Sequence, residues 1–210
     1  MRARAVVFDF NGTLSDDEPV ICRIVMELFA EQGRPLSAQE YYDELAGLSD
    51  EVIVRKWLGR DDPALIEERI ARYRAVVADG SSISPAKREA VRYAAARVPV
   101  AVVTGAVRAE VDPVVAAAGL ADVLTTIVSA DDVANSKPHP EGYLRALELL
   151  DGVAAGEIAV FEDTEAGVAA AKAAGMYVFG VLGTLAPERL AAADEIVSGL
   201  DVDLLRRLVG

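Results

Sequence analysis

Almost unbroken apolar runs of strand length recur at residues 5–10, 98–103, 124–128, 158–161 and 177–182, with helical patterns between the later ones. A strand without polar alternation has to be buried on both faces, and a parallel sheet covered by helices on each side achieves this. The expected fold class is α/β, with a Rossmann-like parallel sheet core. The long stretch between the first and second runs has no comparable strand. It carries helix-start signals instead: Ser37 and Glu40 are spaced as a capping box, Asp62 precedes Pro63, and Ser84 precedes Pro85. Residues 79–84 read as a linker. These signals predict a helical insertion, or cap, at residues 16–83, with residues 1–15 and 84–210 forming the sheet domain.

Composition narrows the possible partners. A chain of 210 residues that is 52% hydrophobic can bury one good core and leave material for a smaller second unit. Lys and Arg number 21 against 34 Asp and Glu, a net charge of -13, which argues against nucleic acid and anionic membranes as partners. The single Cys22 cannot form an internal disulfide and the first residues show no signal-peptide pattern, so a cytoplasmic location is expected. The one membrane-like stretch, residues 166–182, is divided by Lys172 and by Gly167, Gly175 and Gly180, too broken to span a bilayer. A monomer or homodimer is expected.

Polar residues follow the apolar runs. The first ends in Asp9 and Asn11, the second in Thr104 and Gly105, and the fourth in Glu162, Asp163 and Thr164, while Lys137 sits in the loop before another helical pattern. In a parallel sheet these strand ends share one edge and line one cleft. Carboxylate and carbonyl oxygens suit a hard cation such as Mg²⁺, and a lysine with backbone amides suits phosphate oxygens. Each residue alone has a plain structural reading; their placement on successive strand ends favours a common site.

The stretches "DFNGTL", "VVTG", "NSKPHPEGY" and "VFEDTEAGVAAAKAAGM" resemble, in order and spacing, the four motifs of the haloacid dehalogenase superfamily. The likeness is greatest to its β-phosphoglucomutase and phosphoglycolate phosphatase branch, and it extends through "AAAGLADVLTTIVSADDV" and the helical insertion, which matches that branch's small cap. The resemblance implies a Mg²⁺-dependent hydrolase of a small phosphorylated metabolite. In that scheme Asp9 is the nucleophile that forms an aspartyl-phosphate. Thr104, Gly105 and Lys137 hold the phosphoryl group, Asp9, the Asn11 carbonyl and Asp163 hold Mg²⁺, and Glu162 supports the metal from behind.

One position departs from the family pattern. Where its phosphatases and mutases carry a second aspartate as general acid and base, this chain has Asn11. The amide keeps a carbonyl for the metal but cannot exchange protons near neutral pH, and such assistance is typically worth ~10² to 10⁴ in rate. A weakened phosphatase, a phosphate-binding protein without chemistry and a deliberate Asp→Asn change at this position are the three readings this leaves. Dehalogenase action is disfavoured, since that branch has an aromatic residue at position 11 and no metal. Mutase action is disfavoured too, because the branch's cap histidine falls on Ile21 and its cap arginine near Asp50. His139 reads as a rim residue, Trp57 as packing among cap helices, and Arg55, Lys56 and Arg60 as a solvated helix face.

Overall fold

The computed structural model describes residues 1–210. The first apolar run forms β1 (Ala5–Phe8), which lies inside a six-stranded parallel sheet with β2 (Val100–Val103), β3 (Thr126–Val128), β4 (Ile158–Glu162), β5 (Tyr177–Val181) and β6 (Glu195–Val197). The spatial order is β3-β2-β1-β4-β5-β6, so the winding reverses direction beside β1. Side chains alternate across the sheet. Val6 and Phe8 enter one buried cluster and Ala5 and Val7 the other, which explains why the strand tolerates no polar residue. Phe8, Phe161 and Phe179 stack across β1, β4 and β5 with ring centroids 5.3 and 4.9 Å apart.

All strands but one are shorter than their apolar runs: β1 stops at Phe8, and Asp9 and Phe10 already belong to the exit turn, whereas β4 continues to Glu162. Asp9 N–H still donates to the Phe161 carbonyl at 2.9 Å, which fixes the first residue beyond the strand. The sixth strand has no counterpart among the sequence expectations. Its three residues, Glu195, Ile196 and Val197, are largely exposed at the sheet edge and give too short a pattern to detect.

Five helices separate β1 from β2, beginning with α1 (Glu18–Glu31), α2 (Ala38–Glu44), α3 (Asp50–Leu58) and α4 (Pro63–Val77). Ser37 and Glu40 form the reciprocal capping box of α2, and the Asp62 side chain caps α4 ahead of Pro63. The Ser84 side chain caps α5 (Pro85–Ala95), which leads into β2. The chain continues through α6 (Arg108–Ala117), α7 (Glu141–Leu149), α8 (Glu165–Ala173) and α9 (Val202–Val209). Where the chain leaves and re-enters the sheet layer, Ser15 and Ser82 hydroxyls hydrogen-bond at 2.8 Å, and Lys87 Nζ donates to the Thr13 carbonyl and Asp16 Oδ1 at 2.6 and 2.7 Å. No helix is long and apolar enough to cross a membrane.

Candidate active site

The carboxyl ends of β1, β2 and β4 meet where the winding reverses, the place at which open α/β sheets leave a crevice for ligands. Asp9, Asn11, Thr104, Gly105 and Lys137 all line that crevice, and Asp163 stands directly behind it. Lys137 is the organising cation. Its Nζ donates to Asp9 Oδ1 at 2.5 Å, to Glu162 Oε1 at 2.6 Å and to the Val103 carbonyl at 3.1 Å. Burial alone would depress the ammonium pKa, but Asp9 and Glu162 outweigh it and hold Lys137 charged.

Glu162 spends both of its oxygens. Oε1 accepts from Lys137 and from the Tyr143 hydroxyl at 2.6 Å, and Oε2 accepts from Thr164 Oγ1 at 3.2 Å. The residue thus fixes the lysine. Asp163 is different: Oδ1 accepts from Thr13 Oγ1 at 2.8 Å, while Oδ2 is buried without a partner. Gly12 adopts φ 74°, and a Cβ there would collide with that same oxygen. Ligand oxygens of Asp9, Glu162 and Asp163 lie within 4.8 Å of one another. Burial raises the Asp9 pKa well above the carboxylate range, with Lys137 pulling it back only in part, and burial with the Glu162 charge pushes Asp163 up to about 7. An orphaned carboxylate oxygen, a second acid beside it and a glycine that keeps the space open fit a hard divalent cation such as Mg²⁺.

A model of the haloacid dehalogenase-like hydrolases matches residues 6–181. The chain belongs to that family. It is 28% identical to validoxylamine A 7'-phosphate phosphatase of Streptomyces hygroscopicus subsp. limoneus, with 94% of both chains covered. It is 32% identical to protein CbbY of Rhodobacter capsulatus, with 85% of each covered. It is 30% identical to phosphoglycolate phosphatase of Yersinia pseudotuberculosis over 85% of this chain and 80% of the other. Among solved structures, CbbY of Rhodobacter sphaeroides in complex with xylulose-(1,5)bisphosphate superposes with a TM-score of 0.82 at 26% identity, covering 94% of both chains.

Against this family background the surroundings of Asn11 stand out. Its Nδ2 donates to Asp17 Oδ2 at 3.1 Å and approaches the Tyr73 oxygen at 3.2 Å, while the Tyr73 hydroxyl donates to Asp17 Oδ2 at 2.5 Å. Asp17 is fully buried and its pKa is raised by that burial. Sequence reasoning also missed the wall supplied by α1 to α4. Glu18, Tyr41, Asp50 and Arg69 line the same crevice as Lys137. Arg69 is held by both oxygens of Glu110, at 2.5 and 3.0 Å, and by Asp50. The plain readings of most other residues match their places: His139 is over half exposed, Trp57 donates to the Arg34 carbonyl at 3.0 Å, and Arg55 and Lys56 form exposed ion pairs on α3, whereas Arg60, also in an exposed ion pair, lies past the Gly59 cap and not on the helix face.

Proposed function

We propose that the protein is a Mg²⁺-dependent phosphatase of a small phosphorylated metabolite that works through an aspartyl-phosphate on Asp9. The observation that carries this reading is the placement of the Asp9 carboxylate at the sheet's reversal point, 2.5 Å from Lys137 and beside the Asp163 oxygen that has no partner. Asp9 attacks phosphorus, the ester oxygen departs, and water then cleaves the acyl phosphate. Thr104, the Gly105 backbone and Lys137 orient the phosphoryl oxygens. Asp9, the Asn11 carbonyl and Asp163 would hold the metal, and Glu162 keeps Lys137 aimed at the nucleophile. Bound Mg²⁺ supplies positive charge that offsets the repulsion between the carboxylate and a phosphate dianion. Relatives named as phosphatases of phosphoglycolate and of validoxylamine A 7'-phosphate support a small phosphorylated substrate, as does the polar lining of the crevice.

The test is hydrolysis of an aryl phosphate with and without Mg²⁺, since its good leaving group needs little acid help. Turnover that requires the metal is expected, with a phosphorylated Asp9 peptide recovered after acid quench. Asp9→Asn should lose both while remaining folded. A preparation that binds phosphate but neither turns over nor labels Asp9 would favour a phosphate-binding protein, the alternative that Asn11 leaves open.

A further inference from the structure

Asn11 cannot move a proton, yet an alkyl ester needs one for its leaving oxygen and the attacking water must lose one. The crevice contains another acid. Glu18 opens α1 and is buried at 8% exposure, in the same cleft as Asp9, Asn11 and Lys137. No cation pairs with it. Its carboxylate accepts one side-chain hydrogen bond, from the Tyr41 hydroxyl to Oε1 at 2.8 Å, and the cleft's other cation, Arg69, is taken up by Glu110 and Asp50. Glu18 also lines a second hollow together with Gly12, Asp16, Tyr42, Lys87 and Thr184.

We propose that Glu18 is the general acid and base of this site, carrying the proton that Asn11 cannot. The proposal rests on the aspartyl-phosphate reading above. In the first step Asp9 bonds to phosphorus, the phosphorus–ester oxygen bond breaks, and protonated Glu18 gives its proton to the departing alkoxide. In the second step ionised Glu18 takes a proton from water as the water oxygen bonds to phosphorus. The bond to Asp9 then breaks, inorganic phosphate leaves, and Glu18 ends protonated as it began.

The surroundings suit that cycle. Burial pushes the Glu18 carboxyl up to about 7, against a counter-pull from the Tyr41 hydrogen bond, and the charges of Asp17 and Asp9 add to the rise while Arg69 opposes it. A pKa there is near the optimum for passing a proton both ways at neutral pH. The other titratable groups within its field are Cys22 on its own helix, Tyr42 on α2 and Asp163 beyond β4.

Glu18→Gln tests the assignment, because the amide keeps an acceptor for Tyr41 and removes only the proton chemistry. Against wild type with Mg²⁺, turnover of alkyl phosphates should fall by roughly 10² or more. The variant should still take phosphate from an aryl ester and then stall, so that phosphorylated protein accumulates in mass spectra. The fall in wild-type alkyl phosphate turnover above neutral pH should vanish. In an Asn11→Asp background the Glu18→Gln penalty should shrink, an effect that a structural role for Glu18 does not produce. Unchanged turnover, dephosphorylation rate and pH profile in Glu18→Gln, or an equal penalty in both backgrounds, would overturn the assignment while leaving the phosphatase reading intact. A wild-type protein that never labels Asp9 overturns both.

Discussion

Asn11 donates to a buried carboxylate, and this changes what restoring an acid at position 11 does. Asp17 receives the Asn11 amide and the Tyr73 hydroxyl on one oxygen and the Gly12 N–H on the other. Asn11→Asp removes a donor and sets a second carboxylate against a residue whose pKa burial already raises. We expect the single variant to turn over alkyl phosphates faster, yet to lose about 1.5–3 kcal/mol at neutral pH, the range for a hydrogen bond to a charged group, while Tyr73 and Gly12 still donate to Asp17. Asn11→Asp with Asp17→Asn exchanges acid and amide and conserves the donor count, so the loss should be recovered. Urea denaturation of the four proteins in a double-mutant cycle measures the coupling. Additive losses would show that the two side chains do not depend on each other.

The element that most directly serves the lysine is α8. Gly167, in its first turn, lies against the Glu162 carboxylate so closely that a Cβ would overlap all three carboxyl atoms. Gly167→Ala should therefore cost about 1–3 kcal/mol by overpacking. It should also lower kcat by displacing the group that holds Lys137, whereas Gly156→Ala, with open space around it, should do neither. Thermal denaturation and steady-state kinetics separate the two effects. What the sequence made legible follows the same division between strand ends and helix faces. Asp9, Thr104 and Asp163 stand in or beside turns that directly follow buried strands, so the apolar run marks where each one lies, while Lys137, in a loop well past the half-buried β3, was legible through its motif. Glu18 and Arg69 sit within helices, where a charged residue reads as a solvated face until packing turns it inward. Their burial comes from contacts among α1, α2, α4 and α6 that no local pattern encodes. The partnership of Asn11 with Asp17 was hidden for a similar reason, since Tyr73, which completes it, comes from α4.

At the scale of the whole molecule, the charge gathered at the site sets how stability responds to pH. Glu18 titrates near 7 in the folded protein against about 4.3 when unfolded, so the folded state binds the extra proton between those values. Its contribution is present below about pH 4 and is lost as pH rises toward 7. The metal-free protein should thus melt higher at pH 5 than at pH 8, and Glu18→Gln should flatten that slope. Adding Mg²⁺ should raise the midpoint more at pH 8, where the acids it pairs with are ionised. We propose that another buried charge set holds the segment of α1 to α4 closed against the sheet layer. Arg69 of α4 reaches across to Glu110 of α6 through two hydrogen bonds, and it lines the same crevice as Lys137. Removing one member of a buried pair typically costs about 3–5 kcal/mol, because the charge left behind has no water to replace its partner. Here Asp50 still holds Arg69 from within the insertion, so the guanidinium remains paired when the contact to α6 is cut. Glu110→Gln should accordingly release the insertion from the sheet layer more than it unfolds either. The expected signs are faster proteolytic cleavage in the turn at residues 79–82, where Asp79 and Ser81 are exposed, and a KM that rises more than kcat falls. Arg55→Gln, which breaks an exposed ion pair on the same insertion, should change neither. If Glu110→Gln leaves both KM and cleavage at wild-type values, the Arg69 to Glu110 contact is not what holds the cleft shut.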